Sequence, residues 1–147
     1  DRRRNTFRRA FDADDVDAAL LLLPHTGFVD VTDERMAGTV AAVVDDLGEH
    51  GLLRRYRAPD GLPGREGTFV ACTFWLAECL AGQGRLEDAA AAFDRAAATA
   101  NDLGLFSEEI GPTGEQLGNF PQAFSHLSLI GAAVQLEGAL NNTRTVP

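Results

Sequence analysis

The strongest constraint on the fold is an alternation between helices that are apolar on every side and helices that keep one polar face. The pattern predicts apolar helices at 14–23, 66–81 and 121–140, and amphipathic helices at 33–49 and 86–100. A helix without a polar face has to be covered on all sides, whereas an amphipathic helix leaves one side in water. The sequence therefore predicts an inner set of three helices wrapped by an outer set.

Capping and breaking residues delimit the inner helices. We expect Asp14 or Asp15 to cap the first helix, because a carboxylate accepts from the free N–H groups of a first turn. Pro24 is expected to end that helix. Asn119 is expected to cap the last helix, with Pro121 in its first turn.

The connections between the helices also alternate, in their length. Those that lead from an amphipathic to an apolar helix are long, over 51–65 and 104–120, whereas the others are short turns. In an antiparallel array both long loops lie at one end, beside the N-termini of the inner helices, where free N–H groups and the positive helix dipole also lie. We predict a site there, in an all-α helical-hairpin array with too few inner helices to close a ring.

Length and charge restrict the classes of partner. A chain of 147 residues predicts one domain, here with a basic lead-in at 1–13, a helical body at 14–140 and a polar tail at 141–147. The net charge of −9 argues against binding to nucleic acid or to an anionic membrane surface. We interpret the arginines between positions 2 and 9 as surface residues, and no apolar run approaches the roughly 20 residues of a membrane span.

The cysteines and histidines predict neither a disulfide nor a metal site. Cys72 and Cys79 on one helix would lie about 10 Å apart, and a disulfide needs less than about 7 Å. No cysteine or histidine lies at zinc-binding spacing, so we expect buried thiols in a reducing, cytoplasmic compartment, without metal or cofactor. Trp75 and His126 are interpreted as core residues, and His25 and His50 as surface residues.

Five motifs, in this order, are similar to the C-terminal half of the catalytic domain of glycoside hydrolase family 15, which contains glucoamylases and bacterial glucoamylase-type trehalases. The resemblance extends from about Thr6 to Leu140. It implies an (α/α)6 barrel, of which this chain would form about half, and an inverting hydrolysis of α-glucosidic bonds. The motifs are LLLLP at 20–24, YRxxDGLPGxEGxF at 56–69, CxFWL at 72–76, GRL at 84–86 and LGNFPQAFSH at 117–126.

The resemblance also implies a general base. An inverting glycosidase needs one carboxylic acid that protonates the leaving oxygen and one carboxylate that activates water. In the family the base lies in the motif that corresponds here to Ser107-Glu108-Glu109, so Glu108 is the candidate and Glu109 is a less favoured alternative. The general acid comes from an earlier part of the barrel that this chain lacks, so the isolated chain is expected to be nearly inactive.

A sugar subsite is implied for the loop Arg55-Tyr56-Arg57. Arg57, with Arg55 as the alternative, would donate to sugar hydroxyls, and Tyr56 would offer a stacking face. Asp60 would accept from hydroxyls, and Glu66 would point into the same end. From the residues alone, the two arginines fit equally well as ion-pair partners of these carboxylates.

Two functions follow from the sequence. The first is the C-terminal part of an inverting α-glucoside hydrolase that acts on trehalose or malto-oligosaccharides. The second is a non-catalytic helical module that binds a partner or a carbohydrate. An incomplete ring exposes the apolar sides of its inner helices, so in both cases we expect self-association or pairing with a missing N-terminal half.

Overall fold

The computed structural model describes residues 1–59, 61 and 66–144. The helices in this part are a 3-10 helix at Ala18–Thr26, α1 at Glu34–Leu47, α2 at Val70–Gly82, α3 at Leu86–Ala97 and α4 at Ala123–Arg144. The strands, of two residues each, are β1 at Gly48–Glu49, β2 at Leu52–Leu53, β3 at Thr68–Phe69, β4 at Glu109–Ile110 and β5 at Gln116–Leu117. The predicted order of helices is confirmed, and the short strands are an addition to it.

The first inner element differs most from its prediction. It is a 3-10 helix that Asp17 caps, and neither Asp14 nor Asp15 does so, because the Asp17 carboxylate accepts from the N–H of Ala19 at 2.7 Å. Pro24 lies inside the helix, where its carbonyl still accepts from the N–H of Gly27. Gly27, in the left-handed region at φ 72°, ends the helix three residues later than predicted.

Helix α2 is the centre of the core. Every residue from Val70 to Ala81 is buried, as predicted for a helix without a polar face. The helix packs against the 3-10 helix, α3 and α4. The indole N–H of Trp75 donates to the Ser128 hydroxyl at 3.0 Å, which confirms Trp75 as a core residue that ties α2 to α4.

The amphipathic helices pack outside this centre. Asp33 caps α1. The apolar side of this helix is buried at Met36, Val40, Val43 and Leu47, whereas Val44 is exposed. Helix α3 buries Ala89 and Ala96 and keeps its acidic residues in water. The arrangement supports the predicted division into inner and outer helices.

Helix α4 begins later than predicted. It starts at Ala123, because the Gln122 side chain accepts from the N–H of Phe124 at 3.2 Å and takes the capping position. Asn119 does not cap the helix, and Pro121 precedes it. The helix continues to Arg144, beyond the predicted end at Leu140.

The two long sides of α4 have opposite environments. Ser125, Ser128, Ala132 and Leu136 are buried against α2 and its neighbours. On the other side, large apolar side chains remain between 52% and 66% exposed. We call this second side the open face of α4, and it consists of Phe124, Leu127, Ile130 and Val134.

Short strands lie in and beside the two long connections, at the end of the helix array where a site was predicted. Strands β1 and β2 form an antiparallel hairpin after α1. Strand β4, from the second long connection, pairs antiparallel with β3 on one side and with β5 on the other. Because β3 leads directly into α2, which therefore begins at Val70 and not at Glu66, the sheet holds the second connection against the start of the central helix.

The remaining predicted features lie at the periphery or in the core. Both cysteines are free and buried, and burial raises the pKa of both thiols, that of Cys79 to about 12, so they stay protonated at neutral pH. Basic side chains of the lead-in pair with carboxylates, for example Arg4 with Asp46 at 2.6 Å. None of the described helices has the length and apolar character that a membrane span requires.

Glu78 is a buried carboxylate in the middle of the apolar helix α2, and it was not predicted. Only 7% of it is exposed, and its Oε2 lies 2.7 Å from Nε2 of His25, which ties the 3-10 helix to α2. Its Oε1 faces Gly131 of α4. Burial raises the pKa of the Glu78 carboxyl, against the opposing effect of His25.

This pKa shift predicts a pH dependence of stability. A carboxyl whose pKa is higher in the folded state stabilises the fold at pH values below its unfolded pKa of about 4.5, and the contribution is lost as the pH rises through the folded pKa. We expect the free energy of unfolding, measured with urea above pH 4.5, to fall less steeply with pH in Glu78→Gln than in the wild type. Glu137→Gln, at an exposed position of α4, is the matched control, and equal slopes in all three proteins would contradict the prediction.

Candidate active site

The segment from Phe106 to Glu108 is hydrogen-bonded to the starts of α2 and α4, the second and third inner helices. Its three successive carbonyl groups each accept one hydrogen bond, two from the start of α4 and one from the start of α2. The donors are Gln122 N–H to Phe106 at 2.8 Å, the Ser125 hydroxyl to Ser107 at 2.9 Å, and Val70 N–H to Glu108 at 3.1 Å. The backbone of Glu108 is therefore fixed at the N-terminal ends of α2 and α4, where we predicted a site.

Asn119 holds the Glu108 carboxylate. Oε2 of Glu108 accepts from the main-chain N–H of Asn119 at 3.0 Å and from its side-chain amide at 2.9 Å. The main-chain N–H of Glu108 donates in return to the Asn119 carbonyl at 3.0 Å. Within the described part of the chain, Oε1 of the half-buried Glu108 receives no hydrogen bond.

Gly118 lies directly against the same carboxylate. Its φ of 71° is in the left-handed region, and a Cβ placed there would lie 2.7 Å from Oε2 and 2.9 Å from Cβ of Glu108. Real Cβ atoms do not approach that closely. Position 118 therefore has to be glycine for the carboxylate to reach Asn119.

Glu109 is held on the other side of β4. Its Oε2 accepts from the N–H of Gly67, just before β3, at 2.6 Å. Glu108 lies in the bend before β4 and Glu109 is the first residue of that strand, and the two carboxylates are bound by residues next to the two different flanking strands. Glu109 thus anchors the strand to the start of α2.

Arg54 lies close enough to this anchor for Glu109 to raise its pKa, and the sequence did not single it out. It forms an ion pair with Glu49 and donates to the main-chain carbonyl of Glu66 at 2.9 Å. The hydrogen bond with Glu49 raises the pKa of Arg54 and lowers the pKa of Glu49, while Glu66 and Glu109 add attraction to Arg54. Its only signal in the sequence was its place in the same basic run as Arg55 and Arg57.

The two arginines that were predicted to bind sugar have partners in other places. Arg55 Nε donates to the Asp17 carboxylate at 2.8 Å, and the carbonyl of Arg55 accepts from Ala18 at 2.8 Å. Arg57 is exposed, and its Nε donates to the carbonyl of Asp46 at 2.5 Å. Among the residues that the structure describes, neither arginine forms a hydrogen bond or ion pair with Glu108 or Glu109.

The other predicted subsite residues belong to the connection between β2 and β3. Tyr56 and Glu66 are half-buried in the loop that precedes β3. Asp60 lies outside the described residues. Over the part of the chain that the structure covers, no group of three or more metal-ligating side chains comes together.

His126 lies in the first turns of α4, close to the segment that carries Glu108. Its Nδ1 is 2.8 Å from the carbonyl of Gln122, and its ring packs edge-on against Phe106 with 5.2 Å between centroids. Nε2 is buried without a hydrogen-bond partner among the described residues. These contacts favour the interpretation of His126 as a packing residue.

Gly118 and Gly114 offer a matched test of this geometry. Both have left-handed backbones, but a Cβ at Gly114 meets nothing within 4 Å. Gly114→Ala should cost about 1 kcal/mol, the strain of a left-handed alanine. Gly118→Ala should cost at least about 1 kcal/mol more, because the Glu108 side chain has to move. Urea unfolding measures both values, and equal losses would contradict the contact between Gly118 and Glu108.

Comparison with protein families gives one match that covers most of the chain. The family described as glycosyl hydrolases family 15 matches residues 1–134. Among individual proteins, a trehalase of Thermoplasma acidophilum is 48% identical over 141 residues, which is 95% of this chain and 24% of the trehalase. A trehalase of Mycolicibacterium smegmatis is 44% identical over 138 residues, 91% of this chain and 21% of that protein.

Solved structures agree in fold. A structure described as a wild-type glycosidase superposes with a TM-score of 0.77 at 24% sequence identity, over 90% of this chain and 39% of the glycosidase chain. This chain therefore spans about a quarter of the length of the trehalases and less than half of the solved glycosidase.

Proposed function

This chain belongs to family 15 of the glycosyl hydrolases, and we propose on that basis that it supplies the general base and part of the sugar site of an inverting α-glucoside hydrolase. The relatives are named trehalases, so trehalose is the first substrate to test. The general acid lies outside this chain, in the remainder of the catalytic domain.

The observation that carries the proposal is the environment of Glu108. One oxygen of its carboxylate is held by Asn119, and the other receives no hydrogen bond from the described residues. In the inverting reaction, water attacks the anomeric carbon and its proton passes to the base, while the acid protonates the departing oxygen. Among the described residues nothing donates to Oε1, which leaves its lone pairs for such a proton.

Glu109 fits the role of base less well. Its carboxylate already accepts a short hydrogen bond from Gly67 and lies in the field of Arg54. Movement of Glu109 toward a substrate would break the contact between β4 and the start of α2. We therefore assign Glu109 to the support of the loop and Glu108 to the chemistry.

The sugar contacts remain proposals of the same function. Arg57 is the better candidate of the two arginines, because it is exposed and its observed hydrogen bond goes to a main-chain carbonyl. Arg55 is held by the Asp17 carboxylate, which also caps the 3-10 helix, so a sugar would compete with a structural ion pair. Tyr56, Asp60 and Glu66 complete the proposed subsite.

We also propose that the chain forms about half of an (α/α)6 barrel and that the open face of α4 is covered by the rest of such a barrel. Four large apolar side chains that are more than half exposed are an unusual surface for a complete domain. The relatives are about four times as long as the matched segment, so they have enough chain to cover it.

A segment exchange tests the assignment of the base. The chain replaces the matching 141-residue segment of the Thermoplasma acidophilum trehalase. We expect this hybrid to hydrolyse trehalose, and Glu108→Gln to lower its kcat by about 10²- to 10⁴-fold, the usual contribution of a general base. The isolated 147-residue chain should be nearly inactive, because the proposed acid lies in the remainder of the catalytic domain.

Glu109→Gln is the matched control in the same hybrid. It removes an equal charge one residue away and should lower stability more than kcat. An unchanged kcat in Glu108→Gln would refute the assignment. The Mycolicibacterium smegmatis trehalase provides a second host for the exchange.

The open face also favours a second candidate function, a non-catalytic module that binds a partner through α4. In either case the isolated chain should self-associate through this face, since water contact with so much apolar surface is unfavourable. Size-exclusion chromatography with light scattering should give a mass above 15.7 kDa for the wild type and a monomer for the double variant Leu127→Glu/Ile130→Glu.

The double variant Ala41→Glu/Ala91→Glu is the control for added charge, because both residues are exposed on the outer helices. It should associate like the wild type. A wild-type chain that stays monomeric at high concentration would refute the role of the open face as an interface.

A further inference from the structure

We infer that Asn119 is the positioning residue of the Glu108 carboxylate, and that it determines which of the two carboxylate oxygens takes the proton from the attacking water. Both N–H donors of Asn119 bind Oε2, which leaves Oε1 as the reactive oxygen. This inference rests on the proposed function of Glu108 as the general base.

Glu108 and Asn119 form a closed ring of hydrogen bonds. Glu108 donates through its main-chain N–H to the Asn119 carbonyl and accepts at Oε2 from the same residue. The link therefore fixes the backbone and the far end of the side chain together. Rotation of the carboxylate would break two hydrogen bonds at once, and a Cβ at position 118 would clash with the carboxylate in its present placement.

The two oxygens of the Glu108 carboxylate differ in the hydrogen bonds that they accept. An ionised carboxylate accepts hydrogen bonds through about four lone-pair sites, two on each oxygen. Oε2 uses its sites for Asn119, whereas no described residue donates to Oε1, whose sites can accept a hydrogen bond from a water molecule. A general base works only within hydrogen-bond reach of its proton, so an oxygen fixed in direction is an advantage.

Asn119 does not take the role that an asparagine usually has just before a helix. Asparagine before a helix is most often an N-cap. Here α4 begins at Ala123, four residues after Asn119, and the N–H of Phe124 in its first turn is bound by Gln122, while the Asn119 amide donates to Glu108. Asn119 is exposed and its side chain is directed to the carboxylate.

The chain itself provides the first test. In NMR spectra of the 147-residue chain, the side-chain amide protons of Asn119 should shift when Glu108→Ala removes their acceptor. Glu109→Ala should leave them unchanged, because that carboxylate binds Gly67. Amide resonances that do not respond to Glu108→Ala would overturn the inference.

The trehalase hybrid provides the catalytic test. Asn119→Asp keeps the shape of the side chain and replaces its N–H donor by a second carboxylate oxygen, so packing by shape is preserved while the hold on Oε2 is lost. We expect kcat to fall roughly ten- to a hundredfold, the effect of one hydrogen bond to a charged group, with KM changed less than about threefold. An unaltered kcat in Asn119→Asp would overturn the inference.

Asn101 is the matched control for loop order. Its carboxamide oxygen accepts from the N–H groups of Leu103 and Leu105 at 3.0 Å and 2.8 Å, at the start of the same connection, and it does not contact Glu108. Asn101→Ala should lower the free energy of unfolding and leave kcat close to the wild-type value. A loss of kcat as large as that of Asn119→Asp would show that loop order alone is responsible and would overturn the inference.

The two hypotheses fail in different ways. If Glu108→Gln keeps the kcat of the hybrid, the proposed function fails and the role of Asn119 fails with it. If Glu108→Gln abolishes hydrolysis while Asn119→Asp keeps it, only the positioning role fails.

Discussion

The site depends on three main-chain carbonyls that join one loop to two helices. The carbonyls of Phe106, Ser107 and Glu108 accept hydrogen bonds from residues in or next to the first turns of α2 and α4. A first turn has N–H groups without intrahelical partners, and main-chain carbonyls of a loop satisfy some of that demand. The same contacts therefore stabilise the helix starts and hold the loop, so that the position of Glu108 follows from the packing of α2 against α4.

The two neighbouring carboxylates differ in their hydrogen-bond partners. Glu108 and Glu109 are adjacent in sequence, yet one lies in the bend before β4 and the other is the first residue of that strand. Glu109 meets the N–H of Gly67 and the field of Arg54, while Glu108 meets Asn119. Two identical side chains that are neighbours in the chain thus have different hydrogen-bond partners.

Periodicity and composition predicted the helices well because burial is a property of each helix face. The fully buried α2 and the amphipathic α1 are examples. Contacts between distant residues were not accessible in this way. Asn119 has the residue type and the position of an N-cap. Only the contact between residues 108 and 119 shows that its amide binds a carboxylate. Likewise, the ion pair between Arg55 and Asp17 joins residues 38 positions apart, which no local pattern encodes.

The buried carboxylate of Glu78 also limits how α4 can slide along α2. At present it faces Gly131, where a Cβ would lie 2.5 Å from Oε1. A shift of α4 by one turn in either direction would bring Leu127 or Gln135 to that place, and neither side chain fits against the carboxylate. The pair of Glu78 and Gly131 therefore sets the axial position of α4 from a point more than two turns beyond its start. The positions of Ser125 and Val70, whose hydrogen bonds hold the carbonyls of Ser107 and Glu108, are in this way fixed relative to each other from a point well inside both helices.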